Sequence, residues 1–240
     1  MNDPIPVRIF AAAFLFERYV LSAIYFWFAY RQGAALESLA AQWPSGAPFI
    51  SPLLAQAATN FILFLVQLLI GAFLLNSRAP ALPPRSLAEI FVPLASCAYF
   101  VLYGFIPSLP EPLSRNVFGG PVPPVCVLAG MLLGLVGPAI SLWGVLALGK
   151  SFGIFVSVRE VVLRGPYRFV RHPIYLGYFC VWVSLALLNL SPAIFLLVAL
   201  HMLLFRVRAR MEERRLLEAS PAYGQYQRQT GFLFPRRGKS

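Results

Sequence analysis

Residues 163 to 177 read Leu-Arg-Gly-Pro-Tyr-Arg-Phe-Val-Arg-His-Pro-Ile-Tyr-Leu-Gly, a run dense in groups that bind or polarise a ligand. Gly165 and Gly177 permit close backbone approach, and Pro166 and Pro173 stiffen the path between them. Pro173 suits the first turn of a following helix, whose unpaired N–H groups then face the loop and attract an anion or carboxylate. A second cluster comprises Arg206, Arg208, Arg210, Glu212, Glu213, Arg214 and Arg215. Arg206 and Arg210 are four apart, as are Arg208 and Glu212, while Glu212 and Glu213 point to different sides of a helix. One acid can therefore face a ligand while the other pairs with arginine. Alone, such a helix reads as a solvated or lipid-headgroup face; its meaning depends on what joins it to the first cluster.

That connection is Pro173 to Phe205, nearly continuous apolar sequence too long for one perpendicular span and interrupted by the turn signal Asn189-Leu190-Ser191-Pro192. It predicts a helical hairpin that returns the chain to its starting side. At about 1.5 Å per residue each arm reaches roughly 20 to 27 Å, short enough to enter and return without fully crossing. An amphipathic basic helix is expected from there to about Ala219, followed by a short aromatic tail. Upstream, Ile9 to Tyr30 is a first candidate span ended by Arg31 and Gly33, with a polar loop through Pro52. Leu53 to Leu75 is the second and Ser86 to Leu109 the third. Pro93 in the third is tolerable if a neighbour satisfies the carbonyl it frees. Val122 to Leu148 is the fourth, with Gly130, Gly134, Gly137 and Gly144 offering small surfaces for close helix approach.

The expected fold is all-α, a polytopic transmembrane helix bundle of four spans plus a C-terminal helical hairpin and a cytoplasmic amphipathic helix. Residues 1–121 form three N-terminal spans and 122–240 a core holding both clusters. Composition agrees: 59% of the 240 residues are hydrophobic, 12% are charged and mean hydropathy is +0.71, which excludes an ordinary soluble globule. The net charge of +11 does not signal nucleic acid, because Lys and Arg flank the apolar segments instead of forming a separate basic domain. From Lys150 onward there are 14 Lys and Arg against four acids, so the charge chemistry sits late in the chain. By the distribution of basic residues in short loops, both termini and the 149–172 loop should be cytoplasmic.

Cys97, Cys126 and Cys180 are isolated in apolar stretches, form no metal-ligand pattern and read as core residues. His201 reads likewise. The first apolar run contains Glu17 and Arg18 and no small-residue cleavage site, so it is expected to stay as a spanning helix. Ionisable residues are costly there; a structural pairing with another helix, or snorkelling, is the expected role.

The late segments resemble the isoprenylcysteine carboxyl methyltransferase family and the related membrane phospholipid methyltransferases. The residues that carry the resemblance are Leu148-Gly149 with Ser151-Phe152, Gly165-Pro166-Tyr167 through Arg171-His172-Pro173, Tyr175 and Gly177, then Glu212-Glu213, Tyr223-Gly224, Tyr226 and Pro235, over roughly residues 130 to 237. The resemblance implies a cytoplasm-facing pocket for S-adenosylmethionine with no metal. Carried over by position, Gly165, Tyr167, His172, Pro173, Tyr175, Leu176 and Gly177 should line the cofactor, with Glu212 or Glu213 near its polar groups. A carboxylate suits the ammonium of the methionine part, and tyrosine rings favour a sulfonium. His172 is expected to position the cofactor, with acceptor deprotonation as its other possible role. Arg206 and Arg210 are candidates for holding an anionic acceptor.

The stretch Leu142, Trp143, Gly144, Val145, Leu146 departs from the eukaryotic prenylcysteine enzymes, which place polar and charged residues there. The expected acceptor is therefore a lipophilic molecule reached from the bilayer: a prenylcysteine-like carboxylate, a phospholipid amine or a thiol. Two alternatives stand beside this reading. Membrane sterol and steroid reductases, which use NADPH, carry a similar run but show Asn and Glu where this chain has Ile174 and Tyr178. A non-catalytic membrane scaffold is the other.

Overall fold

The computed structural model describes residues 7–41 and 52–236, and every regular element among them is a helix. The first begins as α1 (Val7–Leu15), passes through a π-helical turn at Phe16–Leu21 and continues as α2 (Ser22–Ala41). Arg31 and Gly33 do not end it, contrary to the sequence expectation. One interior glycine costs only about 1 kcal/mol relative to alanine, and the Ala- and Leu-rich residues that follow favour helix. The Arg31 guanidinium also lies 5.6 Å from the centre of the Trp27 ring. Much of the polar loop expected after this helix lies outside the described residues.

The chain continues with α3 (Pro52–Leu75), α4 (Ala88–Gly104), α5 (Pro124–Leu148), α6 (Pro173–Asn189), α7 (Pro192–Ala219) and α8 (Tyr223–Gln229). Ile9–Ala41, Gln56–Leu75, Pro124–Ser151 and Pro192–Ala219 are long and apolar enough to cross a membrane. α4 and α6, of 17 residues each, are shorter helices; the expected third span, Ser86 to Leu109, is helical over Ala88–Gly104 and then passes into a short 3-10 turn at Ile106–Ser108. The second hairpin arm and the basic helix form one uninterrupted α7, since nothing between Phe205 and Ala219 breaks a helix.

The hairpin turns at Leu190, which adopts a left-handed conformation. There the Val117 N–H donates to the Leu190 carbonyl at 3.0 Å, and the Ala193 N–H to the Leu113 carbonyl at 3.1 Å. The hairpin thus extends as far as the loop joining α4 to α5. Its first arm packs backbone to backbone on α5: a Cβ at Gly137 would meet the Gly177 carbonyl at 2.6 Å, and one at Gly177 would meet Ser141 Oγ at 2.1 Å. Gly130, Gly134 and Gly144 face Leu188, Ser184 and Ile174 in the same seam, the close approach that small residues permit.

At the opposite end the loops following α3 and α5 meet. Leu82 and Val158 exchange antiparallel hydrogen bonds of 3.1 and 2.9 Å, and Arg85 reaches Glu218 on α7 at 3.0 Å. Pro93 lacks the N–H that would bond the Glu89 carbonyl, and the Val156 N–H donates to that carbonyl instead at 3.0 Å. Glu17 is buried, and its Oε1 accepts the N–H groups of Ile154 and Phe155 at 2.5 and 2.8 Å. Its Oε2 pairs with Arg159 at 2.6 Å. Arg18 leans the other way and donates to the Leu75 carbonyl at 2.7 Å. Phe152, Ile154 and Phe155 consequently join Leu21, Tyr25, Val66, Ile70 and Val145 in one hydrophobic core.

Candidate functional site

A cavity of about 480 Å³ lies where these elements converge. Phe16, Leu21, Ile24, Tyr25 and Phe28 from the first helix and Leu94 from α4 give it an apolar wall, while Tyr167, His172, Tyr175, Arg208, Glu212 and Tyr223 line its polar end. Residues 151–155 and 157–162 supply part of the wall between. The N-terminal helices therefore supply part of the cavity wall.

The side chains at the polar end form a stack. The rings of Phe205 and Tyr175 lie 4.7 Å apart and nearly parallel, and His172 continues the pile 5.2 Å from Tyr175 with its plane tilted by only 5°. Arg208 sits 5.4 Å from the centre of the Tyr175 ring, within cation–π range. His201 packs against Phe205 and Trp182, a core position that also borders the cavity. Cys97 borders it too, its sulfur 3.6 Å from the Tyr25 hydroxyl, whereas Cys180 is buried. Among the described residues no group of His, Cys, Asp or Glu has a metal-binding arrangement.

The adjacent acids have different surroundings. Glu213 Oε1 accepts from Arg171 Nε at 2.6 Å and from His172 Nε2 at 3.0 Å, and Oε2 accepts from Gln227 Nε2 at 2.8 Å. Because a carboxylate only accepts, the His172 hydrogen in this contact is on Nε2. Arg171 also donates to the carbonyls of Gln227 and Thr230, and the N–H groups of Arg171 and His172 donate to the Gly231 and Phe232 carbonyls. This knot fastens the arginine–histidine loop to α7, α8 and the C-terminal segment. Glu212, by contrast, borders the cavity with its side chain 25% exposed. Its Oε1 accepts from the Tyr175 hydroxyl at 2.5 Å and from Arg208 Nε at 3.0 Å, while Oε2 lies 3.8 Å from His172 Nδ1. Arg208 is itself held by Ser96 Oγ and the Ile154 carbonyl.

Around this acid, burial and then the charge of Glu212 push the Tyr167 phenol well above its ordinary pKa, and burial and then the charge of Glu213 raise that of Tyr223. Both remain neutral at physiological pH. The Tyr226 hydroxyl donates to the Tyr167 carbonyl at 2.6 Å, tying α8 to the loop.

Of the residues singled out in the sequence, Tyr167, His172, Tyr175 and Glu212 meet at the cavity. Glu213 lies behind them. Gly165 has a positive φ beside Ala147 and Trp143, Pro173 opens α6, and Gly177 packs on α5; these three and Leu176 do not border the cavity. Nor do Arg206 and Arg210, which are exposed, Arg206 lying 5.4 Å from the Phe232 ring centre. Four other arginines of the chain, Arg159, Arg171, Arg208 and Arg215, do border it, and Arg208 is the one that holds Glu212. Spacing contained that signal, since His201, Phe205, Arg208 and Glu212 fall on one helical face. Nothing comparable in the sequence marks the Arg171 contacts with residues 227–232, or those of Glu17 with Ile154, Phe155 and Arg159.

Comparison with known proteins gives two findings. Residues 125–225 match the phospholipid methyltransferase family. Protein-S-isoprenylcysteine O-methyltransferase of Saccharomyces cerevisiae is 33% identical over 120 residues, which cover 46% of this chain and 49% of that protein. The chain thus spans about half the length of the curated relative it matches. The matched region contains the arginine–histidine loop, the hairpin and the Glu212–Glu213 pair, so the resemblance to the isoprenylcysteine and phospholipid methyltransferases is shown over this C-terminal part of an integral membrane helix bundle.

Proposed function

We propose that this protein is a membrane methyltransferase that uses S-adenosylmethionine to methylate a lipophilic acceptor, with its cavity and both termini on the cytoplasmic side. The observation that carries this reading is one cavity with an apolar wall from the first helix and, at its other end, an acid flanked by neutral phenols. That donor set fits the proposed cofactor. Glu212 would meet its ammonium, and the faces of Tyr167 and Tyr223 would border its cationic part. Bound there, the cofactor supplies an electrophilic methyl group whose departing sulfur needs no proton.

The protein's task is then alignment, because in-line displacement is fast once the reacting atoms are held about 3 to 3.5 Å apart. Arg208 and Tyr175 fix the Glu212 carboxylate, and Glu213 fixes the His172 ring. The apolar wall would take the acceptor's hydrocarbon part. A carboxylate acceptor, such as that of an isoprenylcysteine, would react without a base; an amine or thiol would first have to lose a proton. Isoprenylcysteine-like carboxylates are the preferred class, by similarity to the yeast enzyme's named activity. Arg206 and Arg210 are too exposed to enter this scheme as acceptor ligands. No observation favours the reductase or the scaffold.

Calorimetric titration of detergent-purified protein with S-adenosylhomocysteine, with NADPH in parallel, tests the cofactor. Saturable binding of the former is expected, to be followed by labelled-methyl transfer to prenylcysteine, phospholipid amine and thiol acceptors. Binding of NADPH alone, or of neither ligand by folded protein, would overturn the reading.

A further inference from the structure

We infer that Glu17, an acid inside the first membrane-spanning helix, is a positioning residue for the cavity: it holds the 152–159 segment as a wall and, through Ile154, sets the arginine that orients Glu212. The inference rests on the function proposed above.

A carboxylate in an apolar span carries a heavy desolvation cost, and a buried ion pair is by itself weak evidence for added stability. What distinguishes Glu17 is what it grips. Both of its oxygens engage one stretch of loop, the Ile154 and Phe155 N–H groups through Oε1 and Arg159 through Oε2. The Glu17 and Arg159 side chains are only 2% and 1% exposed. Arg159 also donates to Ser157 Oγ and to the Arg78 carbonyl. Gly153 leaves room for this guanidinium, since a Cβ there would lie 1.8 Å from Arg159 Nη1.

The next two fixed points in the segment come from the same half of the chain. The Val156 N–H uses the Glu89 carbonyl that Pro93 leaves without an intrahelical donor, and Val158 pairs with Leu82. The consecutive N–H groups of residues 154, 155 and 156 are thus satisfied by an acid and a proline-freed carbonyl, two features that ordinary spanning helices avoid. The output is on the other face of the segment. The Ile154 carbonyl accepts from Arg208 Nη2 at 2.8 Å, and Arg208 Nε donates to Glu212. A continuous series of short contacts therefore leads from the first helix to the acid assigned to the cofactor. The π-helical turn that carries Glu17 also carries Phe16 and Leu21, both in the cavity wall, and such turns are frequent at functional sites.

The test is hydrogen exchange by mass spectrometry over residues 152–158 of the full chain, paired with S-adenosylhomocysteine titration. In Glu17→Ala the segment is expected to exchange at least about tenfold faster while the helices keep their protection, and ligand affinity is expected to fall about tenfold, the worth of one charge-assisted hydrogen bond. Glu17→Gln retains an accepting oxygen but loses the ion pair and should fall between. Arg18→Ala, altered one residue away with no contact to the loop, should change neither. Should Glu17→Ala not fold, Glu17→Gln and Arg159→Ala read the same amides. Unchanged exchange over 152–158, or faster exchange with unchanged affinity, overturns the inference. Absence of S-adenosylhomocysteine binding in wild-type protein would instead remove the proposed function, while the exchange data would still decide whether Glu17 holds the wall.

Discussion

Glu212 and Glu213 are neighbours on α7 with the same charge, yet they belong to different regions of the molecule. Glu213 is enclosed by Arg171, His172 and Gln227 and has no place on the cavity wall. Glu212 borders the cavity, and its two hydrogen bonds fall on one oxygen. About 100° of helical rotation separates a fastening from a ligand-facing group. The same rotation sorts the arginines: Arg208 points inward beside Glu212, whereas Arg206 and Arg210 lie on exposed surface. Enclosure, more than residue type, sets what each charge can do.

This contrast is easiest to break at the enclosed side. Arg171→Ala leaves the Glu213 carboxylate largely buried without its arginine, and loss of one partner from such a pair costs about 3 to 5 kcal/mol. Thermal unfolding in detergent should reveal a greatly destabilised protein, and an unchanged midpoint would mean that Glu213 is not locked. Glu212→Gln should behave oppositely. Its amide oxygen still accepts from Tyr175 and from the buried Arg208, so the unfolding midpoint falls less than in Arg171→Ala, while S-adenosylhomocysteine affinity measured by calorimetry falls tenfold or more, corresponding to about 1.4 kcal/mol or above. If that variant unfolded while retaining affinity, the roles of the two acids would be exchanged.

Smaller effects sharpen the boundary. Tyr226→Phe deletes one hydrogen bond to the Tyr167 carbonyl, worth about 1 kcal/mol, and should weaken ligand binding severalfold by loosening the loop. The Arg206→Ala, Arg210→Ala double variant should leave S-adenosylhomocysteine affinity within about twofold, as expected for exposed charges outside the cavity. A tenfold loss in that variant would place the outer face of α7 within the site.

Local chemistry made much of this legible. Apolar runs located the spans, Asn189 to Pro192 marked the hairpin turn, and the glycines of α5 and Gly177 were available for close approach. The arginine–histidine loop and the acid pair stood out because their residue types are expensive beside a membrane and were dense there. Arg31 and Gly33 misled, since weak helix breakers yield to the propensity of the residues around them. Gly177 looked like a ligand-approach glycine, but the tertiary contact gives its missing side chain a different use, admitting the backbone and Ser141 of α5.

By itself the sequence determined an all-helical membrane bundle, the connection that returns α7 to the loop, and the resemblance of its C-terminal part to membrane methyltransferases, because periodicity, hydropathy and motif order are properties of the chain alone. Tertiary structure decided which acid faces the cavity, which arginine accompanies it, and that Glu17 reaches a loop more than a hundred residues away. Those outcomes depend on the rotation of each helix about its axis and on which loop meets which carbonyl. Both are set by packing among distant segments, and local spacing carries no record of them.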